Sequence, residues 1–454
     1  MPRKLNPAGN AGRMHSLSAS AVAACLIAAG VLRSTAACAQ SQPAEDSAVH
    51  GQVTYVEQET DSFSAPYRGP NSLLPDQGRE TVDATVYLGH RAWPGAEAWI
   101  NAELDQGFGL ANTLGTAGFP SGEAYKVGKS QPYLRLTRAF LRQTWNLGGP
   151  GETVDPAQNQ LGGSRDSNRL VITIGKLSVT DVFDTSKYAH DPRSDFLNWA
   201  ALDAATFDYA ADAWGYTVGA TSEWYTGDWT ARAGLFDLSD EPNSPHLDPG
   251  GHQFQTVAEL ERRQTIAGHQ TRVLATAYRS HGRMALLDEA VAVSIATGEP
   301  VEVAPVRRYR DRTGLSVGVE LQVSDAVGVF GRAGAASGNV EVYEFTDVDR
   351  TASTGLSLSG ALWHRGLDTL AAVAIVNDIS SARRRFLEAG GLGLLVGDGQ
   401  LPNAGTERII ETYYDLAATA ACHLTVDFQR IVNPAYNRDR GPANVVAFRL
   451  HAQF

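Results

Sequence analysis

The last ten residues alternate without a break. Val446, Phe448, Leu450, Ala452 and Phe454 fall on one face of an extended chain, and Val445, Ala447, Arg449, His451 and Gln453 on the other. Successive side chains of a strand point to opposite sides, so this pattern predicts an apolar face backed by a largely polar one. A half-buried strand of a water-soluble sheet has the same alternation, so the rest of the chain must decide between the two.

The pattern recurs. Between Thr313 and Ser324, Leu315, Val317, Val319, Leu321 and Val323 oppose Ser316, Gly318, Glu320, Gln322 and Ser324, as a strand between lipid and water requires. Further candidates begin near Val53, Val82, Ala96, Tyr133, Asn168, Tyr216, Trp229, Val257, Arg272, Val327, Thr351, Asp368, Glu407 and Leu424. With the two segments already described, these make about 16 strands, an even number that suits an antiparallel barrel with a water-filled interior. Past its first segment the chain has no apolar run of about 18 residues, so no transmembrane helix is expected. A closed β-barrel is the other structure that can satisfy its backbone in lipid. Ending directly after an alternating strand on Phe454 is typical of bacterial outer-membrane barrels, whose assembly machinery reads that residue.

The first segment carries Arg3, Lys4 and Arg13, then an apolar stretch from Leu17 to Leu32, then Ala37-Cys38-Ala39, the small-x-small form of an export cleavage site. Residues 1–39 are therefore expected to be removed, leaving a single domain over 40–454. The alternative, acylation at Cys38, is disfavoured by Thr35. Loss of Arg3, Lys4, Arg13 and Arg33 takes the formal charge from −12 to −16, which argues against nucleic acid as a partner. Cys25 and Cys38 leave as well, so Cys422 has no partner for an intramolecular disulfide. Abundant Gly (45) and scarce Met (3) favour many short strands and turns over packed helices.

A barrel of this length has roughly 26 residues per strand and connection, against the 9–11 that cross the membrane, so long extracellular loops are expected. Stretches rich in Pro, Gly, Asp and Asn mark them at 112–132, 148–167, 184–212 and 237–251. Two segments, 284–296 and 383–396, look helical or coiled within loops and are placed at the pore mouth. Tyr87, Trp93, Trp99, Tyr133, Trp145, Tyr216, Trp224, Trp229 and Tyr414 stand near strand ends, where aromatic girdles form, although ordinary β propensity also explains them. The fold class is thus all-β: a transmembrane antiparallel barrel with long extracellular loops and short loop helices.

Several stretches carry a resemblance to a known family. YLGHRAWPGAEAWINAE (87–103), GFPSGEA (118–124), RAFLRQTWNLGG (138–149), YAHDPRSDFLNWA (188–200), FDYAADAWGYTVGATSEWY (207–225), IVNPAYNRDRGP and the terminal FRLHAQF occur in the order seen in OprB-type carbohydrate-selective porins, and the chain resembles that family over nearly all its mature length. The resemblance implies a Gram-negative outer-membrane barrel of 16 strands, an in-folded loop and a pore favouring small sugars. The chain departs from the family at Trp214, where an Arg is common.

A sugar in water is held by aromatic rings against its C–H faces and by side chains that donate or accept at its hydroxyls. In a pore such contacts must be weak and multiple. Arg135, Arg142, Arg232, Arg332 and Arg449 fall on expected lumen faces, with Glu103, Glu223, Glu320 and Asp427 available opposite. A charged constriction built from them is one reading, and a wall of mutually paired residues is the other. Asp191, Arg193 and Asp195, in the dense polar-aromatic segment 190–199, are candidates for an in-folded constriction loop. Asp turns and Arg pairs that stabilise the loop would give the same composition.

Gly314-Leu315-Ser316-Val317-Gly318 fits the nucleophile pattern G-x-S-x-G, but a nucleophile elbow needs a strand–turn–helix corner and Ser316 lies within a long alternating strand. His246, His252 and His269 are scattered, and no metal or cofactor is implied. The alternatives to a sugar porin are a general porin, an outer-membrane barrel hydrolase and a soluble β-protein. Nothing in the sequence marks a subunit interface.

Overall fold

The structure is a computed structural model that describes residues 45–454, so the expected export segment 1–39 lies outside the described residues. Eighteen strands form among the described residues. The first half of the wall uses β1 (Ser47–Thr60), β2 (Gly78–Trp93), β3 (Ala96–Gly107), β4 (Lys129–Asn146), β7 (Arg169–Leu177), β8 (Thr217–Thr226), β9 (Trp229–Asp237) and β10 (Phe254–Ile266). The second half uses β11 (His269–Met284), β12 (Arg308–Ser324), β13 (Val327–Ala336), β14 (Arg350–Ser359), β15 (Thr369–Asp378), β16 (Glu407–Thr419), β17 (Cys422–Val432) and β18 (Ala443–Gln453). These sixteen form a closed barrel in which every neighbouring pair is antiparallel, and β1 pairs with β18 to remove the last free edge. Each predicted strand start lies within a barrel strand or one residue before it.

The alternation sorts side chains as expected. In β12, Leu315, Val317, Val319 and Val323 are exposed on the outer wall, while Ser316 and Glu320 are buried on the inner one. Ser316 therefore sits in mid-strand and not at a nucleophile elbow. In β18, Val446 is outward and exposed, and Val445, Ala447, Arg449 and His451 are buried inside.

The two ends of the barrel differ. Two-residue turns at 94–95, 227–228, 267–268, 325–326 and 420–421 close one end. Ala267 (φ 52°) and Gly268 (φ 86°) both take positive φ, the conformation whose twist matches a two-residue hairpin. Long connections occupy the other end, which in barrels of this type faces outward from the cell. There α2 (Leu287–Thr297) and α3 (Ser381–Glu388), following the single turn α1 (Trp199–Leu202), realise the two helical segments read from sequence. Arg385 Nη2 of α3 reaches Asp288 Oδ2 of α2 at 2.8 Å.

One expected outer loop is corrected. Segment 147–168 leaves the barrel after β4 and so lies at the short-turn, periplasmic end, where it forms a small sheet of β5 (Gly151–Val154) and β6 (Gly163–Asp166). Turn-forming composition marks a long connection but does not say which end of the barrel it leaves. A second correction concerns the aromatics. Trp93, Trp145, Trp224 and Trp229 are exposed near the short-turn end as a girdle requires, whereas Tyr87, Trp99 and Tyr216 are buried inside.

The interior is not an open cylinder. Residues of the long connections pack against Val257, Tyr278, Phe330, Ile375, Ile409, Ile431 and Val445 on the inner wall between β10 and β18, forming a large apolar cluster. A smaller one, Ala48, Tyr87, Trp99, Phe140 and Leu161, ties the periplasmic segment to the opposite wall.

Candidate functional site: a passage beside an in-folded segment

The connection between β7 and β8, residues 178–216, folds into the lumen, and the inner wall holds it by its backbone. Buried N–H and C=O groups must find partners, and charged partners give the stronger bonds. Arg332 donates to the carbonyls of Ala201 (2.8 Å), Asp184 (3.0 Å) and Ala189 (3.0 Å). Arg449 donates to those of Pro192 (2.6 Å) and Asp195 (2.7 Å). Glu411 accepts from Leu197 N (2.5 Å) and Asn198 N (3.2 Å), and Glu259 from Asp184 N (2.7 Å). The connection between β3 and β4 is held in the same way, with Glu407 accepting from Ala117 N (2.9 Å) and Gly118 N (2.8 Å).

Much of the β10–β18 side is filled, although a cavity of about 460 Å³ remains against β10, β11 and β12, and a further open space lies against β2, β3, β4, β7 and β8. It is a cavity of about 800 Å³ bounded by residues of those strands, by the in-folded segment and, toward the periplasm, by the segment 154–165. The guanidinium groups of Arg138, Arg142 and Arg193 and the rings of Tyr87, Trp214 and Tyr216 face it.

Strand β4 supplies the most distinctive column. Asn101 pairs with Arg138 but the next residue of β3, Ala102, pairs with Leu136, so Thr137 is bulged out of register. The bulge turns both Arg135 above it and Arg138, Phe140 and Arg142 below it inward. Arg135 binds Asp105 (Nε–Oδ2 2.6 Å) and Glu103 (Nη2–Oε1 3.0 Å), and its guanidinium lies 4.9 Å from the Trp214 ring and 5.5 Å from that of Tyr216. Arg138 lies 5.1 Å from the Tyr216 ring and grips Asp181 through Nε (2.7 Å) and Nη2 (2.6 Å). Guanidinium and aromatic planes therefore alternate along one wall: Trp214, Arg135, Tyr216, Arg138. Trp214 Nε1 donates to Tyr133 Oη at 3.1 Å, so the residue that departs from the family pattern has a defined seat in this column.

Opposite it, Arg193 extends from the in-folded segment toward three carboxylates, Asp83 (3.3 Å), Glu103 (3.5 Å) and Glu123 (3.5 Å). Lower down, Arg142 Nη1 donates to Asn159 O of the periplasmic segment at 2.7 Å. Burial opposes ionisation of Asp181, yet the Arg138 guanidinium holds its carboxyl below the ordinary range. Burial alone lowers the His190 imidazole, but the Asp203 carboxylate, 3.4 Å away, brings it up to about 8.

The eight residues singled out from sequence thus separate. Arg142, Asp191 and Arg193 bound the cavity, and Arg135 stands at its upper edge on the same column. Arg332 and Arg449 hold the in-folded segment. Asp195 accepts from His190 N (3.0 Å) and Asp191 N (3.1 Å), a turn network within that segment. Arg232 belongs to a separate wall cluster with Glu223 (3.2 Å), Glu259 (2.6 Å) and Glu261 (2.8 Å). Arg138 and Arg142 share one parity and Arg135 has the other, so only the bulge at Thr137 brings all three to the lumen; Tyr87 and Tyr216, expected in the aromatic girdle, face inward.

Comparison with known proteins gives a family and a fold. The model of the carbohydrate-selective porin, OprB family, matches residues 72–454. The high-pH structure of Pseudomonas putida OprB superposes with a TM-score of 0.68 at 15% identity, over 90% of this chain and 94% of that one. The structure of Pseudomonas aeruginosa OccK8 (OprE) is similar with a TM-score of 0.46 at 11% identity, over 90% of this chain and 98% of that one. Among curated proteins nothing matches.

Proposed function

The chain belongs to the OprB family of carbohydrate-selective porins and forms an outer-membrane channel for carbohydrates, and from that premise we propose that its solutes descend along the β2–β8 wall, past the column Trp214, Arg135, Tyr216, Arg138 and Arg142. The observation that carries this reading is the cavity itself, which lies between that wall and the in-folded segment. Each ring offers a face to the C–H groups of a sugar, and each guanidinium offers planar donors to its hydroxyls. Because the arginines are already engaged with carboxylates, a sugar exchanges one hydrogen-bond partner for another and gains little at any one station. Weak serial binding is what a diffusive channel needs. Arg193 and its three carboxylates set charges of both signs across the upper passage, a transverse field that orients polar solutes.

Export through removal of residues 1–39, and recognition of Phe454 by the assembly machinery, complete the proposed route to the membrane.

Cysteine accessibility tests the path. In a Cys422→Ala background, Thr144→Cys lies on the passage wall, and a bulky thiol reagent is expected to reduce the single-channel current. Thr276→Cys, buried on the inner wall of β11, is expected to leave it unchanged. The opposite pattern would move the passage to the other side of the lumen.

A further inference from the structure

Inside the barrel, Arg135, Arg138, Arg193, Arg232, Arg272 and Arg332 each hold a carboxylate. Three on the outer wall differ. Arg350 in β14, Arg408 in β16 and Arg430 in β17 are exposed and form no ion pair among the described residues. Their parity places them outside, since Arg350 shares a face with Leu356, Arg408 with Ile410, and Arg430 with Phe428 and Val426, all exposed. All three lie at the long-loop end of their strands.

The register makes them neighbours. Arg430 stands opposite Ile410, which is two residues from Arg408. Val376 stands opposite both Arg408 and Ala352, and Ala352 is two residues from Arg350. The patch therefore spans four adjacent strands. Nearby carboxylates are engaged elsewhere: Asp378, opposite Arg350, accepts from Ile379 N (2.9 Å), and Asp61 accepts from Asn444 N (2.8 Å) and Nδ2 (2.5 Å). Arg408 donates through Nε to Thr406 Oγ1 (3.3 Å) and Arg430 through Nη1 to Asn444 Oδ1 (2.9 Å), leaving their other N–H groups outward.

Beside the arginines the same face carries Val376 and Ile410, and toward the membrane centre Leu356, Val426, Phe428 and Val446, all exposed. Cationic groups at the interface above an apolar column match an amphiphile with an anionic head and hydrocarbon tails. Unpaired arginine is tolerated on the lipid face of a barrel near the interface, where a headgroup can meet it. We propose that Arg350, Arg408 and Arg430 form a binding site for the phosphate of a membrane lipid in the outward leaflet, with the acyl chains on the apolar column beneath. This site is separate from the passage and does not depend on the solute carried.

Native mass spectrometry of the folded mature protein in detergent, with either phosphatidylglycerol or phosphatidylcholine of the same chain length, tests it. Phosphatidylglycerol adducts are expected to exceed phosphatidylcholine adducts by at least about tenfold, and to fall to the phosphatidylcholine level in Arg350→Gln/Arg408→Gln/Arg430→Gln. The corresponding triple Lys variant is expected to keep most of the preference. Folding is checked by heat-dependent mobility on gels. Should the Gln variant not fold, raising salt on the wild type replaces it and is expected to strip the anionic lipid first. Equal retention of the two lipids, or a preference untouched by both the Gln variant and salt, overturns the proposal. So does a dimer that the Gln variant dissociates, which would assign the patch to a second copy of the chain.

Discussion

Arg135 and Arg138 are three residues apart in β4, yet both point into the lumen, because Thr137 between them is bulged out of the β3–β4 register. An unbroken strand would send one of them to lipid. The bulge therefore places two guanidinium groups on the faces of Trp214 and Tyr216 within one turn of wall, and it joins the strand that carries the column to the segment that narrows the lumen through Arg138 and Asp181.

That link has a measurable strength. Arg138→Gln leaves the Asp181 carboxylate without its charged partner and is expected to cost about 1–3 kcal/mol in unfolding free energy. Asp181→Asn in the same chain should recover part of the loss. A double-mutant cycle by denaturant titration checks this, and additive effects would show that the pair is not coupled.

How far the sequence could lead is clear at this same strand. Alternation locates the wall, because a strand between lipid and water must change polarity at every residue, and Leu315 against Ser316 or Phe448 against Arg449 shows it directly. A bulge leaves no such mark: Leu134, Leu136 and Leu141 are apolar whichever side of the irregularity they stand on. Parity turns Arg332 and Arg449 to the inner face but says nothing of what fills the lumen opposite, and there the backbone of 184–201 takes their donors. The expected constriction residues on the in-folded segment divide for a similar reason, since Asp195 is spent on the amides of its own turn while Arg193 reaches across the space.

Arg193 balances Asp83, Glu103 and Glu123. Arg193→Gln removes a cation facing three carboxylates, leaving Arg135 on Glu103, and is expected to shift the channel toward cations. Reversal potentials in a salt gradient measure this, and an unchanged permeability ratio would show that the cluster does not face the ion path.

The periplasmic segment 147–168 should restrict the exit. Arg142 bonds Asn159 O at 2.7 Å, Gln158 Nε2 bonds Gln52 Oε1 at 2.8 Å, and Gly162 N bonds Glu45 Oε2 at 2.8 Å, so it is fixed against the wall. Replacing 148–167 with a two-residue turn is expected to raise conductance and weaken any block by sugars, as read in single-channel recordings. No change would place the narrowest point elsewhere.

His190 makes the in-folded segment sensitive to alkali. Its pKa of about 8 lies above the ordinary 6.5, so the protonated ring contributes stability that is complete below about 6.5 and is lost as the pH rises through 8. Thermal unfolding is expected to move to lower temperature between pH 7 and 9, with the change reduced in His190→Gln. A pH profile identical in the two proteins would remove His190 from the account.

The central claim, that carbohydrates pass along the guanidinium–aromatic column, is tested most directly by planar-bilayer conductance of the refolded mature protein titrated with mono- and disaccharides, with Trp214→Ala/Tyr216→Ala beside the wild type. A saturable fall of ion current with sugar, shifted to higher concentration in the double variant, is the predicted result. A stable channel whose current is indifferent to every sugar, or is blocked equally in both proteins, would contradict it.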